Sequence, residues 1–177
     1  MYETPGLGII STIIYIILIL ASVVLSVMGS MIILSFLTRR QIDVKEEIVY
    51  NQNIGIALVL SSFIWTIGRM CLESTKPIMN DWYNRWASGI TFTSVLSFTA
   101  GILGALLNAL IFGAIIVFLS IKILMVINKD INEWEEIKQG NIAVAIVISI
   151  TVIVVGMFFE SIISYIATNI LQFLKIK

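Results

Sequence analysis

The sequence predicts an all-α polytopic membrane protein with four transmembrane helices, arranged as two tandem helical hairpins. Three observations predict this fold class. Apolar residues make up 59% of the 177-residue chain and charged residues only 12%, whereas about a quarter of the residues in soluble domains are charged. The charges are confined to short segments that separate four long uncharged runs. These runs and segments also repeat along the chain.

Each uncharged run is long enough to cross a bilayer. The runs contain 35, 21, 36 and 21 residues and cover positions 4–38, 48–68, 86–121 and 139–159. A spanning helix needs about 20 apolar residues. The first run opens with Glu3 rather than a basic stretch and exceeds the about 7–15 apolar residues of a signal peptide. We therefore expect it to remain as the first spanning helix.

The third run leaves three alternatives open, one of which is a single long helix. As one helix, its 36 residues would extend about 54 Å, whereas the hydrocarbon core is about 30 Å thick. Either an interfacial or irregular stretch at residues 88–98 precedes a helix over residues 99–127, or the run breaks at Gly101 or Gly104 into a hairpin of two short spans. Its length does not distinguish between them.

Two acidic segments indicate an internal repeat. Residues 42–48 read Ile-Asp-Val-Lys-Glu-Glu-Ile and residues 131–137 read Ile-Asn-Glu-Trp-Glu-Glu-Ile, and an Asn-Ile pair follows each, at Asn53 and Asn141. A one-residue insertion aligns both features, although chance similarity of apolar sequence is the alternative. A duplicated helix–segment–helix unit favours four spans over five. It divides the chain into residues 1–87, which include an outer connecting loop, and residues 88–177.

The repeat places both acidic segments on one side of the membrane, with six basic residues against four on the other side. The positive-inside rule then predicts cytoplasmic acidic loops and both termini outside. The six are Arg39, Arg40, Lys45, Lys122, Lys129 and Lys138, and the four are Lys76, Arg85, Lys175 and Lys177.

Residues 73–86 are predicted to form the outer connecting loop. Pro77, Asn80 and Asn84 would interrupt a helix there, and an aromatic cluster of Trp82, Tyr83 and Trp86 is typical of the headgroup level. A ligand-binding aromatic patch is the alternative. Trp134, spaced by three from Ile131 and Ile137, is predicted to anchor the inner side in the same way.

The second copy of the repeat resembles a known family. Residues 135–146 read Glu-Glu-Ile-Lys-Gln-Gly-Asn-Ile-Ala-Val-Ala-Ile, which is similar to the signature of the YjfL-type family, a domain of unknown function in bacterial inner-membrane proteins. The first copy departs, with Gln52 in the glycine position and Gly55 in the first alanine position. The resemblance covers about residues 7–73 and 100–170. It implies a four-helix protein of the bacterial cytoplasmic membrane and no particular activity.

Four polar residues are candidates for an ion path within the membrane. Glu160 lies 19 residues beyond Asn141, about 28 Å along a helix, and should face the bundle, a cavity or the headgroups. The repeat places Arg69 at a comparable depth, which predicts an Arg69–Glu160 ion pair. Glu73 extends the same polar stripe, and Asn108 is an isolated amide on the third helix. The alternative is that all four only hold the helices together. The carboxylates would then be ion-paired, and Asn108 would form a hydrogen bond between helices.

Small residues predict close helix contacts, either within the bundle or between protomers. On the third helix they stand four apart, at Gly101, Ala105, Ala109 and Gly113. Gly156 belongs to a similar small and polar stripe on the last helix. Asn53 and Asn141, at the start of the returning helices, are predicted to be N-caps.

The composition excludes several functional classes. The chain has no histidine and one cysteine, Cys71, which excludes histidine-based catalysis and an internal disulfide. Its eleven basic residues balance eleven acidic ones, so nucleic acid is not an expected partner. We expect no enzyme activity, no cofactor and no metal site. The predicted function is a helix-packing scaffold or subunit, with the lipid bilayer, a second copy or other membrane proteins as partners. A small proton or cation channel or transporter using Glu160 is the alternative.

Overall fold

The computed structural model describes residues 5–38, 42–88, 91–128 and 132–175, and the ordered elements within these ranges are all helical. Four long helices, α1 (Pro5–Leu37), α2 (Ile54–Ser88), α3 (Phe92–Ile127) and α5 (Ile142–Lys175), are joined by a short π-helix (Glu46–Tyr50) and by α4 (Glu133–Lys138). All four long helices are long and apolar enough to cross a membrane. The predicted fold class is confirmed, and the chain is a multi-pass membrane protein.

Several residues of the charge and anchoring predictions lie outside this description. Residues 39–41, 129–131 and 176–177 are not described, nor are the side chains of residues 85–88 and 174–175. The predictions made for Arg39, Arg40, Arg85, Trp86, Lys129, Ile131, Lys175 and Lys177 therefore lie outside the described part of the chain.

From residue 92 onward the third uncharged run forms one continuous helix, whereas residues 86–88 belong to α2. The two interrupted alternatives are therefore wrong. α3 begins at Phe92, seven residues before the expected start, and it passes through Gly101 and Gly104 without a break. Its start is fixed by a capping box, in which the Thr91 side chain accepts a hydrogen bond from the Ser94 amide and the Ser94 side chain accepts one from the Thr91 amide. The capping box therefore places the start of α3 before residue 99, and Gly101 is buried within the helix instead of interrupting it.

The predicted outer loop over residues 73–86 is wrong, because α2 continues through it to Ser88. Pro77 lies inside the helix without ending it. The extension is stabilised by burial against α3: Ile78 is buried, and Trp82 packs its ring on Phe98 with centroids 4.3 Å apart. Trp82 is thus buried against the protein instead of lying free at the headgroup level. Tertiary packing outweighs the local helix-breaking signals.

α2 is the central helix of the bundle. It contacts α5, α3 and α1 extensively, whereas α1 and α3 touch each other much less. α1 and α3 run antiparallel to α2, and α5 runs parallel to it, as two tandem hairpins require. Bulky side chains fill the centre between these helices, among them Ile56, Phe63, Ile67, Ile116 and Ile148.

The outward faces of the long helices carry large apolar side chains. Examples are Ile16 and Ile32 on α1, Leu107 on α3, and Ile150 and Met157 on α5. In water such a surface would be unfavourable, but lipid tails are as apolar as these side chains. The exposed apolar surface therefore follows from the four spanning helices.

The two acidic segments lie at the same end of the bundle, here named the acidic-loop end. α4 packs against α5 and α2 there, and the π-helix packs against α2. Ile137 of α4 is fully buried, and Trp134 packs against the same apolar core cluster. Both side chains hold α4 against the bundle.

Candidate functional site

The seam between α2 and α5 contains small residues at two points of close approach. Near the acidic-loop end, a Cβ built on Gly55 would lie 3.4 Å from the Ala145 Cβ. Midway, a Cβ on Gly156 would lie only 2.7 Å from the Thr66 Cγ2. The missing side chains of Gly55 and Gly156 thus allow the two backbones to approach closely, as small residues do in membrane helices.

The small-residue face of α3 packs within the bundle, against α2. A Cβ on Gly101 would meet Ile78 at 3.3 Å, and one on Gly113 would meet Ile67 at 3.1 Å. Ala105 and Ala109, between them, have no exposed surface. Of the two roles that the sequence left open for this face, the structure shows the contact within one chain.

The ion pair that was predicted between Arg69 and Glu160 lies on this seam, about one helical turn beyond Thr66 and Gly156. The guanidinium binds both carboxylate oxygens: Arg69 Nε donates to Oε1 at 2.9 Å, and Nη2 donates to Oε2 at 2.7 Å. Glu73 is a second neighbour, with its Oε1 3.5 Å from Arg69 Nη2, and it also pairs with Lys76. A bidentate pair of this kind is strong and fixes the register of the two helices.

Asn108 lies apart from the ion pair and bonds to a different residue. Its Nδ2 donates to the Ser74 Oγ at 3.3 Å, and the Ser74 hydroxyl in turn donates to the Ala105 carbonyl at 2.8 Å. All three residues are buried. The four candidate ion-path residues therefore form two separate groups, one between α2 and α5 and the other between α2 and α3.

Asn53 and Asn141 occupy corresponding turns before α2 and α5. Asn53 Oδ1 accepts a hydrogen bond from the Ile56 amide at 3.1 Å, and Asn141 Oδ1 accepts one from the Val144 amide at 3.4 Å. Each side-chain amide also donates to a glutamate of its own acidic segment, Asn53 to Glu47 and Asn141 to Glu136. These contacts satisfy amides at the helix starts.

The two asparagines differ in what else they bind. Asn53 is buried, and its Nδ2 also donates to the carbonyls of Ile137 and Lys138 at 3.1 and 3.2 Å. It thereby ties the end of α4 to the start of α2. For Asn141 the described contacts stay within its own segment, so sequence equivalence does not make the two residues energetically equivalent.

We expect Asn53→Ala to destabilise the protein more than Asn141→Ala. Loss of the Asn141 cap should cost about 1 kcal/mol. Asn53→Ala also removes the Asn53 donor from two α4 carbonyls, of which Ile137 keeps the Gly140 amide as a donor, and this brings its expected cost to about 2 kcal/mol. The measurement is the free energy of unfolding in mixed micelles. Asn53→Ser is the control, because it keeps the cap but cannot reach α4, so its loss should be intermediate. Equal losses at the two positions would contradict the bridging role.

The residues before the two asparagines share a left-handed backbone. Gln52 has φ 51° and Gly140 has φ 89°. Glycine adopts this conformation without strain, whereas a residue with a Cβ does so at a cost. Gly140 therefore has a backbone role, and Gln52 adopts the same conformation less favourably.

Exchanging these turn residues should change stability in opposite directions. Gly140→Gln is expected to destabilise the protein by about 1 kcal/mol. Gln52→Gly is expected to stabilise it by about 0.5 kcal/mol, because the relief of backbone strain is partly offset by the greater conformational freedom of glycine in the unfolded chain. Apart from its chain neighbours, no heavy atom of the described residues lies within 4 Å of a Cβ built on Gly140, so a loss there reports backbone strain. Thermal unfolding in detergent measures both changes. Gly140→Asn should be milder, since asparagine tolerates this conformation, and a neutral Gly140→Gln would disprove the assignment.

Two buried polar residues are absent from the sequence predictions of the site. Ser74 binds Asn108, and its spacing of four from Met70 and Ile78, both buried, could have indicated its inward direction. Glu133 is 5% exposed, and its Oε1 has no hydrogen-bond partner in the described part of the chain. Glu133 lies four residues before the buried Ile137, which is the signal that could have identified it.

Apolar side chains separate the ion pair from the acidic-loop end. Val59 and Phe63 of α2 and Ile148 and Val152 of α5 are buried in one cluster between the two asparagine turns and the ion pair. Within the described ranges, no three acidic or cysteine side chains lie close enough to hold a metal ion. The geometry holds α2 and α5 in register through the Arg69–Glu160 pair.

Residues 88–176 match the family described as Domain of Unknown Function (DUF350). The match takes in α3, α4 and α5, and so includes Asn108, Asn141, Gly156 and Glu160. No curated protein and no solved structure shows significant similarity to the chain. Because the family match spans just over half of the chain's 177 residues, this multi-pass membrane protein belongs to the DUF350 family.

Proposed function

We propose that the chain is a non-enzymatic membrane scaffold or assembly subunit, whose intramembrane polar residues hold its helices together. The observation that carries this proposal is the bidentate Arg69–Glu160 pair. Both carboxylate oxygens of Glu160 accept hydrogen bonds from one guanidinium. A carboxylate that relays protons or binds cations must exchange its partner, whereas here one guanidinium holds both oxygens in a bidentate pair and joins α2 to α5.

The packing between the helices supports the same proposal. The cluster around Phe63 and Val152 fills the seam on the acidic-loop side of the ion pair. Asn108, the other candidate for an ion path, bonds to Ser74 in a separate contact. An ion conductor requires a continuous polar path between the two faces of the membrane. The buried apolar cluster would interrupt such a path along the seam.

The location and partners of the chain are part of the proposal. The YjfL-type resemblance supports the bacterial cytoplasmic membrane, and the distribution of basic residues supports cytoplasmic acidic loops with both termini outside. As partners we propose a second copy or other membrane proteins. Since α3 uses its small-residue face within the bundle, such partners would contact the bulky outward faces of α1 and α5.

We also propose that the first half of the chain is a diverged copy of the matched half. Both halves have a long helix, a short helix and a second long helix in that order. The left-handed residues Gln52 and Gly140 stand 88 positions apart, as do the capping residues Asn53 and Asn141. A shared unusual φ at equivalent positions supports common ancestry more specifically than shared apolar composition does.

Conduction of protons or cations past Glu160 is the second candidate function. The observation that favours it is partial exposure of the pair: 37% of the Arg69 side chain and 21% of the Glu160 side chain are accessible. The pair is therefore accessible from outside the bundle. Under this function the pair would open transiently, and the apolar cluster below it would have to admit water.

Ion and proton flux into proteoliposomes tests both functions. We expect the unaltered protein, Glu160→Gln and Lys76→Gln all to give the flux of protein-free vesicles, with orientation and protein density verified. Flux that Glu160→Gln abolishes and Lys76→Gln preserves, in folded protein, would overturn the scaffold and establish conduction. The subunit role requires a second readout, the mass of the detergent-solubilised particle. A strictly monomeric particle that also lacks other proteins would contradict that role.

A further inference from the structure

A large groove lies between α1 and α3 at the acidic-loop end, where these two helices contact each other little. Its volume is about 1220 Å³. The walls include Met31, Ile32 and Phe36 of α1 and Phe118 of α3. Ile32 and Phe36 are also strongly exposed on the outer surface. The groove therefore continues into the surface that faces the lipid tails.

The end of the groove carries two ammonium groups. Lys122 of α3 and Lys138 of α4 both line it. Lys122 Nζ lies 5.6 Å from the centroid of the Phe118 ring. Across the described residues, neither lysine has a carboxylate partner, in contrast to Lys76 with its Glu73. Among the described lining residues the carboxylate is that of Glu135, which accepts a hydrogen bond from Gln139. The groove thus has excess positive charge at its polar end.

The indole ring of Trp134 adds an aromatic side chain to the same wall. Trp134 lines the groove, but its Nε1 is buried within the protein and has no acceptor among the described residues. Because this nitrogen does not open onto the groove, the attraction of the groove for a headgroup depends on Lys122 and Lys138.

We propose that the groove binds one anionic phospholipid, with the phosphate near Lys122 and Lys138 and an acyl chain along Met31, Ile32 and Phe118. Charge complementarity identifies the headgroup, since basic pockets between membrane helices bind anionic headgroups. The apolar walls identify a lipid rather than a soluble phosphate, because a phosphate alone would leave them uncovered. The lipid would fill the space between α1 and α3 and so complete the contact between the two hairpins. This binding site is independent of the scaffold proposal.

Quenching of Trp134 fluorescence by brominated lipids tests this proposal. The full chain, with its other tryptophans Trp65, Trp82 and Trp86 changed to phenylalanine, is placed in vesicles containing brominated phosphatidylglycerol or brominated phosphatidylcholine. We expect phosphatidylglycerol to quench at a several-fold lower mole fraction. Lys122→Gln or Lys138→Gln should each reduce this preference about fivefold. Lys45→Gln is the matched control, because it removes an exposed lysine of the other acidic segment and should leave the preference unchanged.

Three results would overturn the proposal. Equal quenching by the two lipids would show that the groove does not select charge. An equal loss in Lys45→Gln would assign the preference to general surface charge. Displacement of the brominated lipid by soluble glycerol 1-phosphate would show a phosphate site in place of a lipid site. If the tryptophan substitutions prevent folding, native mass spectrometry of the unaltered chain and the lysine variants with the same two lipids gives the same comparison.

Discussion

Gly156→Ala is expected to destabilise the bundle by about 1–2 kcal/mol, although alanine is normally the better helix former. The added Cβ would lie 2.7 Å from the Thr66 Cγ2, closer than two carbon atoms can pack. Thr66 is buried on the facing side of α2, so α2 and α5 must separate or Thr66 must change rotamer. Overpacking of this kind typically costs about 1–3 kcal/mol, which exceeds the gain of up to about 1 kcal/mol from replacing a helical glycine.

Two further variants isolate the contact that causes this loss. Gly104→Ala is the matched control, because a Cβ there would meet Ile170 Cγ2 at an ordinary 3.8 Å, and it should be neutral or stabilising. Thr66→Ser removes the obstructing methyl group, so the double variant with Gly156→Ala should recover most of the lost stability. The free energy of unfolding in mixed micelles is measured for the unaltered protein and for the three variants. A Gly156→Ala variant as stable as Gly104→Ala would show that α2 and α5 are not packed this closely.

The sequence was sufficient to predict the four helices and the faces on which they pack. Residues four apart on a helix share a face whatever surrounds them, so the alignment of Gly101 with Ala105 could be read directly. The repeat then placed Arg69 and Glu160 at one depth, and the structure contains their ion pair. The partner of a small-residue face could not be read, because it depends on which bulky side chain, here Ile78, lies opposite.

Other features depend on contacts between distant segments. Pro77 and the nearby asparagines indicate a loop locally, yet Trp82 and Ile78 gain enough burial against α3 to keep the helix intact. Similarly, Gln52 gives no local sign of a left-handed backbone. The bridge from Asn53 to α4 is also invisible in the sequence, because it joins residues more than 80 positions apart. Local propensity is a weak guide wherever tertiary burial is large.

Arg69→Leu is expected to be more destabilising than Glu160→Gln. Removing the arginine leaves the Glu160 carboxylate without its partner inside the bundle, whereas Glu73 keeps Lys76. A fully buried broken pair costs about 3–5 kcal/mol, and the partial exposure of both side chains lowers the expected loss to about 2–3 kcal/mol. In Glu160→Gln the guanidinium can turn to Glu73, whose Oε1 is already 3.5 Å away, so about 1–2 kcal/mol is expected.

The double variant separates a direct interaction from two independent losses. If the ion pair joins α2 to α5, Arg69→Leu with Glu160→Gln should cost no more than Arg69→Leu alone, because the second change removes the unpaired charge that the first created. Lys76→Gln is the control, since its pair with Glu73 is exposed and spans less than one helical turn, and such pairs contribute about 0.5 kcal/mol. Strictly additive losses from Arg69→Leu and Glu160→Gln would mean that the two residues act separately. The seam would then depend on its small residues alone.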